Sequence, residues 1–214
     1  MASLIVHMIV FGLLASVSPL AIMVLVSLML TKKPMKNALS FLAGFTMILV
    51  ALGAVAVFVL HVGTSKAGHT ADAWIDIGLG IICLALIPVS MRKKKEKPQK
   101  NKARPLSPAK AFSIGMVTMC INASTIVIYV AGAHAVTEAH VGAAQDAVAL
   151  VVLTLFTLST LLLPMAIYAV FPKKSDRLLA ALRVWLVKHQ KAIGVGLLII
   201  FGVYLLAKGI NTLV

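Results

Sequence analysis

Two polar clusters interrupt otherwise apolar stretches of this sequence, and the first contains Ser16, Ser18 and Pro19. These residues lie inside an uncharged run of 27 residues, Leu4 to Leu30, which as a straight helix would extend roughly 40 Å and overshoot a hydrocarbon core of about 30 Å. Proline removes a backbone donor, and its ring clashes with the carbonyl group four residues earlier. We therefore predict a bent or opened helix, whose serines bond either their own backbone or a ligand.

The second cluster consists of Asn122, Ser124 and Thr125, in the apolar run from Ala111 to Ala133. Polar side chains at membrane depth are costly unless they face the bundle interior or a cavity. The Asn122 amide offers two donors and one acceptor oxygen, so it can bridge a helix break, hold a ligand or bond a neighbouring helix. Pro164, in a later apolar run, predicts a further kink and hinge. The two clusters and Pro164 together form the candidate substrate pathway.

The elements that must position these residues are membrane helices. Hydrophobic residues make up 61% of the chain and charged residues 12%, which excludes an ordinary soluble domain. Six apolar runs predict six transmembrane helices: Leu4 to Leu30, Ala38 to Val62, Ala73 to Ser90, Ala111 to Ala133, Ala147 to Phe171 and Ala192 to Leu213. The predicted fold class is an all-α integral membrane protein.

Basic residues alternate from one connection between these runs to the next. Eighteen of the 20 Lys and Arg residues fall in three connections: Lys32 to Lys36, Arg92 to Lys110 and Lys173 to Lys191. The positive-inside rule places these connections in the cytoplasm and both termini outside it. This placement accounts for the formal net charge of +14, so the sequence predicts no nucleic-acid partner.

The basic segment 91–110 divides the chain into two three-helix halves, residues 1–90 and 111–214. Because each half has an odd number of helices, the second half enters the membrane from the opposite side, and any repeat is inverted. Two glycine patterns suggest such a repeat. Ile77 to Ile82 parallels Ile193 to Leu198, and Gly12 precedes the first polar cluster much as Gly115 precedes the second.

The segment 176–188 is predicted to form an amphipathic helix before the last span. It carries Leu178, Leu182, Trp185 and Leu186 at helical spacing. We expect it to lie in the cytoplasmic interface with Trp185 at headgroup depth, either as a passive anchor or as a moving gate.

Several titratable residues are assigned to the outer side: His7, His61, His69, His134 and His140, with Asp72, Asp76, Glu138 and Asp146. Such groups can bind a transition metal, but no two histidines share tight ligand spacing, so no metal site and no cofactor is predicted. Lys208 is expected to snorkel towards the outer interface. The sequence has no recognisable catalytic motif, and Cys83 and Cys120 lie in apolar runs as packing residues. We therefore predict that the protein is not an enzyme.

Two segments carry a resemblance to a known family. Residues 15–45, with Ser18-Pro19 before a short basic turn, resemble the first two helices of the GAP family, peptidoglycolipid-addressing or Sap-like proteins of the LysE exporter superfamily. Residues 182–210 are similar to the ending of that family, in which Leu-Arg-x-Trp-Leu precedes a helix with a late glycine. The resemblance implies two inverted three-helix repeats and the export or flipping of lipids such as glycolipids.

Two departures from related sequences restrict what the resemblance implies. Other members of the superfamily carry Asn-Pro-Lys at the start of helix four, where this chain reads Asn122-Ala123-Ser124. Only the asparagine is shared. The resemblance therefore does not imply the substrates of relatives that carry the lysine. Related thiol-electron carriers have Ser-Pro-Cys in helix one, whereas Leu20 follows Pro19 here. The resemblance therefore does not extend to thiol chemistry.

The sequence thus predicts a transporter or flippase-type exporter of a lipid or glycolipid, with a midplane site at broken helices one and four. An exporter of a small solute or metal ion, and a scaffold that transports nothing, are the alternatives. Membrane lipids and the lipid or glycolipid substrate are the expected partners, and a homo-oligomer is compatible with the sequence. The expected location is the bacterial cytoplasmic (inner) membrane.

Overall fold

The structure, a computed structural model, describes residues 2–31, 33–64, 69–91, 107–139 and 141–213. The described residues form eight helices and no strands: α1 (Ala2–Ser16), α2 (Pro19–Met29), α3 (Pro34–Thr64), α4 (His69–Met91), α5 (Pro108–Cys120), α6 (Ala123–Glu138), α7 (Ala143–Val170) and α8 (Pro172–Leu213). The all-α fold class predicted from the sequence is confirmed. Most of the basic segment 91–110 lies outside the described residues.

The outer surface of the helices is apolar. Large hydrophobic side chains stand exposed along it, including Phe58, Val170 and Ile200, with 71%, 66% and 65% of their surface accessible. An apolar surface of this extent suits lipid rather than water. The chain is a multi-pass membrane protein.

The candidate spans fall into three groups. Three helices are long and apolar enough to cross a membrane alone, over Pro34–Val59, Ala143–Val170 and Lys191–Leu213. Two bent pairs, α1 with α2 and α5 with α6, qualify when each pair is taken as one span. The apolar part of α4, Ala73–Pro88, is shorter. The structure therefore has three to five candidate spans, and the count of six stays a prediction.

The main helix contacts join the two halves of the chain. Helix α3 packs along α5, α1 packs along α7, and α4 packs along α8. Glycines allow the backbones of the first pair to approach: a methyl group added at Gly44 would collide with the Phe112 carbonyl, and one added at Gly115 with the Phe41 carbonyl. Such small-residue contacts are typical of membrane helix pairs.

Of the four glycines that the sequence pattern paired, Gly80 alone lies in the contact between α4 and α8. A methyl group at Gly80 would lie 3.0 Å from the Gly202 carbonyl oxygen, and one at Gly209 would lie 2.8 Å from the Ala73 carbonyl oxygen. A methyl group added at Gly78, Gly194 or Gly196 would have no other atom within 4 Å, apart from neighbouring residues of its own chain. The parallel between Ile77–Ile82 and Ile193–Leu198 therefore does not describe equivalent packing positions.

Helix α8 corrects the prediction for the amphipathic segment. Residues 176–188 are helical, but they continue into the last span without a break, because α8 runs from Pro172 to Leu213. The buried positions are Leu179 and Leu186, whereas Leu178 and Trp185 are exposed. Leu178 and Trp185 of the predicted apolar face lie on the outer surface of the bundle, as a face turned towards the membrane interface requires, whereas Leu186 packs inside it. The place of this segment in the cytoplasmic interface stays a prediction.

Candidate functional site

The break between α1 and α2 occurs where Pro19 starts a new helix. Proline suits the first position of a helix because the backbone N–H missing from its ring would have no helical partner there. Ser18 caps α2: its hydroxyl oxygen accepts a bond from the N–H of Ala21 at 3.3 Å, as serine commonly does. The two axes differ by 63°. The bend predicted near Ser18 is confirmed.

The break between α5 and α6 has no proline. Helix α5 ends at Cys120, α6 begins at Ala123, and their axes differ by 70°. Asn122 occupies the N-cap position of α6, yet its side chain makes no capping bond to the backbone of that helix. The polar side-chain atoms of Asn122 are therefore used elsewhere.

Asn122 joins the two breaks. Its side-chain amide Nδ2 donates to the hydroxyl of Ser18 at 2.7 Å and to the hydroxyl of Thr125 at 2.8 Å. Thr125 in turn donates to the carbonyl oxygen of Ala15, the penultimate residue of α1, at 3.1 Å. All three polar residues are buried, with at most 5% of their surface accessible. We call Ser18, Asn122 and Thr125 the crossing cluster.

The other predicted pathway residues occupy the edge of this cluster or lie apart from it. Ser124 is half-buried and donates to the Asn122 carbonyl oxygen Oδ1 at 3.3 Å. Ser16 donates to the Leu13 carbonyl at 2.6 Å and accepts from Thr160 of α7 at 2.7 Å. Helix α7 thus contacts the break between α1 and α2 through Thr160, a residue that was not predicted as part of the pathway.

Pro164 is buried in α7, and the helix continues through it to Val170. No described hydrogen bond links it to the crossing cluster, so its role as a hinge stays a prediction. The two broken helices are bonded together in this structure through the crossing cluster.

A second polar site joins α4, α6 and α8, at the end of α6 remote from Asn122. The ammonium group of Lys208 lies 2.8 Å from Asp76 Oδ2 and 2.6 Å from Glu138 Oε2. His134 Nε2 lies 3.7 Å from Asp76 Oδ1 and 3.8 Å from Glu138 Oε1. We call these four residues the ionic cluster.

The ionic cluster brings together four residues that the sequence analysis treated separately. The Lys208 ammonium group contacts two carboxylates, and its snorkelling towards the outer interface stays a prediction. The clue that the sequence contained was the spacing of His134 and Glu138, four residues apart and thus on one face of α6. Asp76 and Lys208 come from helices far apart in sequence, so no local pattern could place them together. Among the other outer-side groups, Asp146 is buried at the start of α7, and the side chains of His61, His69, Asp72 and His140 lie outside the described residues.

A cavity of about 430 Å³ opens beside the ionic cluster. Its lining combines apolar and polar groups from α1, α6 and α8, among them His7, Phe11, Glu138, Tyr204 and Lys208. Glu138 and Lys208 are partly accessible, with 25% and 31% of their side-chain surfaces exposed, whereas Asp76 and His134 are almost fully buried. The cavity thus reaches the cluster from its Glu138 and Lys208 side.

One comparison with known proteins identifies a match. A family model described as Sap, sulfolipid-1-addressing protein, matches residues 8–211. The matched range includes both helix breaks and all four residues of the ionic cluster. No curated protein and no solved structure matches the chain.

Proposed function

The chain belongs to the Sap, sulfolipid-1-addressing protein, family, and on that premise we propose that it exports a lipid or glycolipid by letting the headgroup cross at the broken helices. The family description supports a lipid as the class of cargo. The apolar outer surface supports a route in which the acyl chains remain in the bilayer. The protein would act without a catalytic centre of its own.

The observation that carries this proposal is the bond between Asn122 and Ser18. Irregular backbone at membrane depth is tolerated where it is packed in protein or lines a cavity, and transporters place broken helices at their substrate sites. Here two breaks meet through a 2.7 Å bond from Asn122 to Ser18 and a 3.1 Å bond from Thr125 to the Ala15 carbonyl. Exchanging these bonds for bonds to a polar headgroup would open the route without leaving the side chains unsatisfied.

We further propose that six spans form two inverted three-helix repeats, as in relatives within the LysE superfamily. In such a repeat α1 corresponds to α5, α3 to α7 and α4 to α8. The contact of α1 with α7 then corresponds to the contact of α5 with α3, and the contact of α4 with α8 joins two equivalent helices. Gly12 and Gly115 precede the two breaks, and each faces the backbone of its partner helix, near the Leu153 and Phe41 carbonyls. These correspondences support the repeat.

The proposed setting is the bacterial cytoplasmic membrane, with both termini outside the cytoplasm, membrane lipids as partners and homo-oligomers allowed. The basic connections would then face the anionic cytoplasmic leaflet and attract an anionic headgroup to the inner end of the pathway. Each basic residue near such a surface contributes about 1 kcal/mol of attraction.

Reconstitution into vesicles tests the lipid proposal. Purified protein would be placed in vesicles that contain a fluorescently labelled anionic glycolipid, and a membrane-impermeant reductant would quench the label in the outer leaflet. We expect the protein to accelerate the movement of label between leaflets, and Asn122→Leu to abolish this acceleration. Folded wild-type protein that moves no label would contradict the proposal.

A scaffold that transports nothing is the second candidate, because the bonds of the crossing cluster are satisfied within the protein. On that hypothesis the cluster only joins helices. The same vesicles distinguish the two functions, since a scaffold leaves the leaflets separate in wild type and variant alike. An exporter of a small solute would instead move a trapped water-soluble probe.

A further inference from the structure

The ionic cluster has an unusual combination of charge and burial. Two carboxylates, Asp76 and Glu138, face a single ammonium group, Lys208, and the imidazole of His134 lies beside them. Buried charges in proteins are generally paired or coordinated to metal ions. A metal ion coordinated by both carboxylates would meet that requirement for each of them.

The geometry leaves a position for such a cation. Lys208 contacts Asp76 Oδ2 and Glu138 Oε2, whereas the other oxygen of each carboxylate lies nearest to His134 Nε2, at 3.7 and 3.8 Å. These two distances exceed the range of about 2.7–3.2 Å for hydrogen bonds from N–H groups to oxygen. His134 Nε2 and these two carboxylate oxygens therefore lie around one point, somewhat farther apart than hydrogen-bonded atoms.

The separations suit shared ligands of one metal ion. One ligand atom from each of Asp76, His134 and Glu138 lies within 4.8 Å of the others. Two atoms bound tetrahedrally at about 2.1 Å are about 3.4 Å apart, and the 3.7 and 3.8 Å from His134 Nε2 to the two carboxylate oxygens are within a few tenths of an ångström of that spacing. One nitrogen and two carboxylate ligands suit transition metals such as zinc and manganese.

Lys208 completes the arrangement from outside the three ligands. Carboxylates that bind metals are usually held by hydrogen bonds to their remaining oxygens, which fix their orientation. Lys208 contacts one oxygen of each carboxylate in this way. The cavity next to Glu138 and Lys208 reaches the cluster on the side of one of the three ligands, Glu138.

We propose that Asp76, His134 and Glu138 form a binding site for one divalent transition-metal ion, which ties α4 to α6 at the end of the bundle remote from the helix breaks. The site is separate from the crossing cluster, and it does not depend on which cargo the protein carries. The ion would act as a structural link rather than as a transported substrate.

Equilibrium binding of Zn²⁺ and Mn²⁺ to the full chain tests this site. The protein would be purified in detergent, freed of any affinity tag and treated with a chelator before titration at neutral pH. We expect one ion of Zn²⁺ or Mn²⁺ per chain, bound more tightly than Mg²⁺ because an imidazole ligand favours the transition metals. Wild-type protein that binds neither ion stoichiometrically would overturn the proposal.

Two matched histidine variants locate the bound ion. His134→Gln should lower the affinity by about tenfold or more, since loss of even an outer-shell partner costs 10–100-fold. His7→Gln removes an exposed histidine of the same cavity, one that bonds the Ser3 carbonyl rather than the cluster, and it should leave binding unchanged. Equal loss in both variants, or loss in neither, would rule out the assigned ligands.

A third variant tests the site without replacing the buried His134, whose replacement could itself disturb folding. Glu138→Gln changes a partly exposed ligand and leaves the Lys208–Asp76 contact in place. We expect it to weaken metal binding while helix content and elution volume stay those of wild type. Zn²⁺ should also raise the thermal midpoint of wild type and His7→Gln but not of Glu138→Gln, and a folded Glu138→Gln protein with wild-type affinity would contradict the site.

Discussion

Asn122 donates a 2.7 Å hydrogen bond to Ser18, a residue 104 positions earlier in the chain. The bond connects the N-cap residues of α6 and α2, so each broken helix is held at its break by the other. Helix N-termini carry partial positive charge, and the N-termini of α2 and α6 both lie next to the bond between Asn122 and Ser18. A small set of side chains thus controls the junction of both bent pairs.

Asn122→Leu should abolish lipid movement and lower the free energy of unfolding by about 1–2 kcal/mol. The effect on stability is modest because Ser18 and Thr125 keep other partners, the Ala21 N–H and the Ala15 carbonyl. Leaflet exchange in vesicles and denaturant unfolding measure the two effects. Asn211→Leu, at an exposed position near the end of α8, is the matched control and should preserve both. Transport at the wild-type rate in Asn122→Leu would remove Asn122 from the mechanism.

Gly44→Ala should destabilise the protein, whereas Gly194→Ala should stabilise it. A methyl group at Gly44 would collide with the Phe112 carbonyl of α5, a backbone atom that cannot turn aside. Gly194 has open space at that position, so alanine there should add about 0.5–1 kcal/mol through its higher helix propensity. Thermal unfolding of the two variants in detergent measures the difference. Equal midpoints would show that α3 and α5 are not in close contact.

Gly53→Ala and Tyr129→Phe should be strongly coupled. A methyl group at Gly53 would lie 2.7 Å from the Tyr129 hydroxyl, which is buried and bonded to Thr154 at 2.8 Å. Removal of the hydroxyl relieves the worst overlap, so the double variant should be less destabilised than the sum of the single variants. A double-mutant cycle of unfolding free energies measures this coupling. Additive effects would contradict the contact between α3 and α6.

Lys208→Met should destabilise the fold by about 3 kcal/mol, near the lower end for breaking a buried ion pair because Lys208 and Glu138 are partly accessible. The variant leaves two carboxylates facing each other without a cation. Adding Asp76→Asn removes one of these charges and should restore part of the loss. Metal-free protein is required for both measurements. A double variant less stable than Lys208→Met alone would contradict this account of the charges.

Two serine-to-cysteine variants test the proposed orientation. Ser3 lies at the start of α1, and Ser107 caps α5 on the basic side of the bundle; both are exposed. In a background with Cys83→Ser and Cys120→Ser, a membrane-impermeant maleimide should label Ser3→Cys in intact cells. It should label Ser107→Cys only after the membrane is opened. The reverse pattern would invert the topology.

The sequence predicted both helix breaks because their causes are local. Pro19 lacks a backbone donor, and Asn122 is a polar residue in an apolar run, so each marks its own position. The ionic cluster could not be predicted in the same way, since Asp76, Glu138 and Lys208 come from three helices and meet only through packing. Residues 176–188 are a similar case: Leu179 and Leu186 are buried by packing, which the spacing of apolar residues alone did not reveal.

The contacts of α1 with α7, α3 with α5 and α4 with α8 also determine how the protein can be assembled during synthesis. Each of these pairs takes one helix from either side of the basic segment 91–110. When translation reaches that segment, the helices already inserted still lack their main partners. The main helix contacts of the N-terminal half therefore form only after the C-terminal half has been synthesised and inserted. Native structure forms late, and the two halves expressed as separate polypeptides should each be degraded alone and survive only when they are produced together.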